Sequence, residues 1–214
     1  MNSPTKILAA FLAVTASVVA IGAASAQVRE PGSPMQKAVA FLTKPAPKTE
    51  LVAVTAYVGK DVDGDGAADF VNPTGKSVRR HDSFGQGHFH ASRDGGSRRH
   101  AGVDYLADAG QAAQAPISGY VTKIGQTYGD TARYKYVEIS NPALGYSARV
   151  FYVNPTVQVG QAVRVGQSVG RVQSLQGRYP GISDHVHLEV ARAGRPLDAA
   201  TLIAEQTRMV EVPA

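Results

Sequence analysis

The chain has 214 residues, 43% of them hydrophobic and 18% charged, with a formal net charge of +5. That composition suits a globular chain with one principal domain plus extensions, and argues against disorder. There is no cysteine, which excludes disulfides, thiolate metal sites, cysteine nucleophiles and a lipoprotein anchor.

Residues 1–26 read as a signal peptide. Lys6 gives a short basic start, an apolar run extends from Ile7 to Ala24, and Ala24-Ser25-Ala26 is a small-residue cleavage site. The rest of the sequence has no spanning segment. The expectation is an exported chain, periplasmic or extracellular, with no stable membrane span after cleavage. Cleavage would remove Lys6 and no acidic residue, taking the net charge from +5 to +4. Arg79, Arg80, Arg93, Arg98, Arg99 and Arg133 would add to a basic surface that attracts polyanions. For an exported chain, cell-wall polymers or anionic lipid head groups fit better than nucleic acid.

Residues 27–50 read as a proline-bracketed linker with one short helix. Ser33 stands as N-cap, Pro34 at the first helical position and Gln36 two residues on. Residues 51–80 combine a strand with an Asp-rich loop. Leu51 to Val58 is rich in β-branched residues. Asp61, Asp63, Asp65 and Asp69 then follow the spacing of a calcium loop, with Gly66 for the sharp turn. Asn72 stands where a bidentate glutamate would complete an EF-hand. The alternative is an Asp/Gly turn that binds nothing.

Residues 81–205 are expected to form the main domain. The stretch from Arg79 to Arg99 reads as a long loop, and His88 and His90 within it are either a further metal pair or exposed side chains. His100-Ala101-Gly102-Val103-Asp104 sets a histidine and a carboxylate four apart, on one face of a strand or a helix. Gly102 between them permits a close backbone approach. From Ala115 onward the pattern is mostly strands, and Val159-Gly160-Gln161 is echoed by Val165-Gly166-Gln167, two turns with glycine where positive φ is needed.

His185-Val186-His187-Leu188-Glu189-Val190 reads as a strand whose two imidazoles share a face. His185, His187, His100 and Asp104 are therefore candidates around one metal. Two histidines and one carboxylate with an open position is the ligand count of a catalytic zinc site. Glu189, on the same face, could orient a ligand. Asp198 would cap a short C-terminal helix ending near Glu205, and residues 206–214 form a tail.

Taken in order, His100-x-x-x-Asp104, Ala115-Pro116-x-x-Gly119, the Val-Gly-Gln repeat and His185-x-His187 resemble the lysostaphin/LytM-type zinc endopeptidases of bacterial cell walls. That resemblance implies a compact antiparallel β-sheet with the metal in a groove. It implies Zn²⁺ on His100, Asp104 and His187, with His185 beside the reacting water. It also implies peptide bonds of peptidoglycan cross-links as substrate. Members of the family carry a second unligated histidine in a Y-x-H-L motif, where this chain reads Tyr152-Val153-Asn154-Pro155. Asn154 could donate a hydrogen bond to an oxyanion but cannot move a proton. The run Tyr179-Pro180-Gly181-Ile182 to His187, with Val150 to Pro155, is similar to the leukocyte-derived chemotaxin branch, which lacks the same histidine. The alternative function is a zinc-containing binding module for a wall glycopeptide or a protein partner.

Overall fold

The computed structural model describes residues 48–214, which form one compact unit. The expected signal peptide, the helix after Ser33 and the linker up to residue 47 lie outside the described residues.

Fourteen strands follow in order. β1 (Thr49–Gly59) comes first, then the short hairpin β2 (Ser92–Arg93) and β3 (Arg98–Arg99), then β4 (Val103–Leu106) and β5 (Ala112–Gln114). The long hairpin β6 (Gly119–Tyr128) and β7 (Thr131–Asn141) leads to β8 (Tyr146–Phe151) and β9 (Val153–Pro155). β10 (Ala162–Val163), β11 (Ser168–Val172), β12 (His185–Arg192), β13 (Arg195–Leu197) and β14 (Ile203–Pro213) complete the chain. The fold is mainly β and antiparallel, as expected. The main sheet runs β10-β6-β7-β8-β12-β13, with β4 also paired to β12. A second sheet runs β5-β11-β9.

β12 is central because its sequence alternates. Val186, Leu188 and Val190 are at most 1% exposed and fill the core with Val103, Tyr105, Val137, Ile139 and Val150. The opposite face of β12 therefore points His185, His187 and Glu189 away from that core. Pairing sets Asp104 directly across from His187, and Leu106 across from His185. Gly102 lies just ahead of β4, where a Cβ would run into the Leu188 carbonyl and come within 2.9 Å of His187 Cε1.

Both repeat glycines have positive φ, 87° at Gly160 and 80° at Gly166. In each copy the glutamine closes the turn. Gln161 Oε1 accepts from the Gln158 amide at 3.0 Å, and Gln167 Oε1 from the Arg164 amide at 3.1 Å. A third copy sits at Gly110-Gln111, where Gln111 Oε1 accepts from the Asp108 amide at 3.1 Å. Ala109 stands there where the other two copies have valine, so the Val-Gly-Gln pattern does not reveal it.

The expected C-terminal helix does not form. Asp198 does cap, accepting from the Ala200 amide at 2.9 Å, but only a single 3₁₀ turn, Ala199–Thr201, follows. Leu202 and Ile203 then enter the core, and the chain leaves as β14, paired with β1 over eleven positions from Thr49↔Pro213 to Gly59↔Ile203. Burial of Leu202 and Ile203 and a full strand ladder outweigh one capped turn, because short helices gain little on their own. Residues 206–214 are thus part of a ribbon rather than a loose tail. Among the described residues there is no α-helix.

Gly102→Ala should overpack the β4–β12 contact and lower stability by about 1–3 kcal/mol, measured as a drop in the thermal unfolding midpoint.

Candidate metal centre

His100, Asp104 and His187 come together. Each offers one ligand atom, and the three atoms lie within 4.8 Å of one another. His100 Nε2 is 2.9 Å from His187 Nδ1 and 3.1 Å from Asp104 Oδ1, and His187 Nδ1 is 2.9 Å from Asp104 Oδ1. All three residues are buried or nearly so.

The outer partners decide which ring nitrogens carry protons. His100 Nδ1 lies 2.8 Å from the His88 carbonyl oxygen, which can only accept, so Nδ1 donates and Nε2 keeps its lone pair. His187 Nε2 lies 3.3 Å from Glu189 Oε1, so the neutral ring donates there and its lone pair is on Nδ1. Three acceptor atoms then face one another at contact distance. Such a cluster is repulsive without a cation at its centre, and two imidazoles plus a carboxylate are a zinc donor set. In the metal-free chain a proton takes that role. Burial works against a charged His187, but its hydrogen bonds to the Asp104 and Glu189 carboxylates prevail and push its pKa up to about 9. Burial likewise opposes ionised Asp104, yet its contacts with the two imidazoles, protonated at His187, hold it well below the usual carboxylate range.

The outer oxygen of Asp104 has its own partner. Arg79 Nη2 donates to Oδ2 at 2.9 Å and Nε at 3.3 Å, while Nη1 donates to the Gly85 carbonyl at 2.9 Å. Arg79 is 3% exposed. It is therefore part of the site, not of the basic surface where the sequence placed it. Arg93 adds a longer contact to the same oxygen at 3.5 Å. The signal for Arg79 was not in its spacing, since it lies 25 residues before its partner.

His185 stands beside this cluster without joining it. Its Nδ1 lies 2.7 Å from the Ser183 carbonyl, so Nδ1 carries the proton and Nε2 keeps its lone pair, 3.6 Å from Asp104 Oδ1. Burial lowers its pKa, which keeps the ring neutral and able to accept a proton.

A cleft of about 400 Å³ opens over these groups. His100, Asp104, His185, His187 and Glu189 lie in it, together with Arg93, the Arg98–Asp94 ion pair and the aromatic side chains of Tyr128, Tyr152, Tyr179 and Phe84. Asn154 is not among the lining residues. It is exposed, and its Oδ1 accepts from Gln173 Nε2 at 2.9 Å. The residue that faces His185 is Tyr152, with ring centroids 5.4 Å apart and planes at 88°. Asn154 stands in sequence where Y-x-H-L has its histidine, but the backbone turns at Tyr152 and sends Asn154 outward. His88 and His90 have exposed side chains and form no second site, although the His88 carbonyl orients His100.

The Asp-rich loop gives the calcium expectation no support. The Asp61, Asp63 and Asp65 carboxylates do cluster. However, Asp61 accepts from the Gly64 and Gly66 amides, Asp63 from Asp65 and Asp65 from Ala67. Asp69 turns to the Val62 amide at 2.8 Å, and Asn72 is buried in a turn of its own with Thr74 and Lys76. The loop's own amides satisfy these acceptors.

Arg79→Ala would leave the buried Asp104 Oδ2 with only the longer Arg93 contact and should cost about 3–5 kcal/mol, read from chemical denaturation. Zinc uptake by the metal-free chain should release about one proton at pH 7, since His187 is protonated below about 9. The release should fade as the pH rises past that value, and calorimetry in buffers of different ionisation enthalpy measures it.

Peptidase family M23 matches residues 98–199. Leukocyte cell-derived chemotaxin-2 of Mus musculus is 28% identical over 153 residues, covering 69% of this chain and 95% of that protein. Among solved structures, the antimicrobial peptidase lysostaphin from Staphylococcus simulans covers 64% of this chain and 54% of its own at 18% identity, with a TM-score of 0.47. A zinc containing peptidase from Vibrio cholerae covers 61% and 39% at 24% identity, with a TM-score of 0.45. Over residues 98–199, the chain is thus similar to Peptidase family M23.

Proposed function

We propose that the chain is an exported zinc-dependent endopeptidase acting on peptide bonds of peptidoglycan cross-links. The observation that carries this reading is the convergence of three lone-pair ligand atoms beside a fourth, unengaged one on His185 Nε2, in an open cleft. His100 Nε2, Asp104 Oδ1 and His187 Nδ1 would hold the zinc. When bound, zinc supplies a Lewis acid that polarises a carbonyl oxygen and makes water acidic near pH 7.

The chain's own residues do the rest. His185 Nε2 accepts the proton of the attacking water, and the Ser183 carbonyl fixes the tautomer that allows it. Glu189 holds the His187 ring by its Nε2–H, and the His88 carbonyl holds His100 in the same way. Arg79 neutralises Asp104 from behind, so a buried carboxylate stays ionised toward the site. Phe151, edge-on to His187 at 5.1 Å, and the tyrosines exclude water from one wall. An extended peptide suits a cleft of this size, and Arg93 and Arg98 in its lining suit an anionic wall polymer. The export reading supports a wall substrate, as does the match to Peptidase family M23.

A second reading is a zinc-containing module that binds a wall glycopeptide or a protein partner without cleaving it. It is favoured by one observation: of the described histidines, only His185 lines the cleft without belonging to the ligand trio.

Purified cross-linked peptidoglycan should be cleaved by the zinc-loaded chain, and His185→Ala should cut turnover by about 10²–10⁴-fold with zinc content unchanged. Product analysis by mass spectrometry is the measurement. No cleavage by the zinc-loaded wild type would select the binding reading.

A further inference from the structure

Tyr152 has an unusual backbone. Its φ is +64°, a left-handed conformation that costs a bulky residue of order 1–3 kcal/mol and persists only where neighbours enforce it. They do so here. The Tyr152 amide donates to the Lys135 carbonyl at 2.8 Å, its carbonyl accepts from the Gln173 amide at 2.7 Å, and Val153 next to it is fully buried. The result is to turn the Tyr152 ring into the cleft, edge-on to His185.

Its hydroxyl is also directed. Tyr152 Oη lies 2.8 Å from Tyr128 Oη. Arg178 Nε donates to Tyr179 Oη at 3.3 Å. Arg178 also stacks over the Tyr128 ring at 3.9 Å. A cation over that ring polarises the Tyr128 O–H and makes it the stronger donor of the tyrosine pair. With Tyr128 donating to the Tyr152 oxygen, the Tyr152 proton has no partner in the pair and is free for the cleft. Burial pushes the Tyr152 phenol up to about 12, so the group is a neutral donor at physiological pH.

We infer that the Tyr152 hydroxyl is a catalytic hydrogen-bond donor to the negative charge that develops on the substrate carbonyl oxygen, oriented by Tyr128 beneath the Arg178 guanidinium. It stands beside His185 and supplies a donor there without supplying a base. This rests on the peptidase reading above.

The test compares wild type, Tyr152→Phe and Tyr152→His, each checked for zinc content and unfolding midpoint. Tyr152→Phe should lower kcat by about 10²-fold, the loss seen when one oxyanion donor is removed, with KM changed by less than about threefold. It should also weaken binding of a phosphinate pseudopeptide, a tetrahedral analogue, by at least about tenfold while a plain peptide binds equally well. Tyr152→His, which keeps an N–H donor, should retain more turnover than Tyr152→Phe. A wild type that cleaves with Tyr152→Phe equal to it overturns this inference alone, as does a Phe variant altered only in KM or a His variant as slow as Phe. A zinc-loaded wild type that cleaves nothing overturns the peptidase reading and this inference together.

Discussion

A single buried carboxylate sets the terms for this structure. Asp104 is 2% exposed, and burying an ion without compensation is prohibitive. Its two oxygens are compensated from opposite directions. Oδ2 is held by the Arg79 guanidinium, and Oδ1 faces two imidazoles. Remove the guanidinium and the carboxylate would be pressed toward its neutral form, which ligates metal poorly. Remove the cation that the imidazoles share and three acceptors are left in contact. The site is therefore held together by charges that each need the other, and the sheet serves to keep them at fixed spacing.

That spacing comes from register. β12 carries His187 and Glu189, β4 carries Asp104, and the ladder sets Asp104 across from His187. A slip of one residue would turn both imidazoles into the core and Val186 and Leu188 into the cleft. The apolar alternation of β12 makes that slip costly, so the same residues that bury the core also position the ligands. Gly102 lets β4 come close enough for this to happen.

How much of this was legible in the sequence depends on the range of the interaction. Strand periodicity placed His185 and His187 on one face, and H-x-x-x-D placed their partners, because both are local patterns with one geometric meaning. The glycine-glutamine turns were legible for the same reason, though the third copy lacked the preceding valine that drew the eye to the other two. Arg79 was misread as surface because arginine usually is, and nothing in its neighbourhood announces a carboxylate far along the chain. Tyr152 was passed over for Asn154 because a left-handed backbone at a tyrosine is an effect of long-range hydrogen bonds to Lys135 and Gln173. The C-terminal helix failed for a similar reason: capping is local, whereas pairing with a strand at the other end of the chain is not.

The β1–β14 ribbon has a mechanical consequence. Eleven paired residues at about 3.3 Å each make a stalk of roughly 35 Å, and Thr49 at its tip lies across from Pro213. Its base is packed on the body through Gly59 and Ile203, while its outer half is exposed. Chain entering the described body and chain leaving it therefore pass through one point. A pull on either end loads the same ladder from the tip, opening it pair by pair before any force reaches the sheet that holds the ligands.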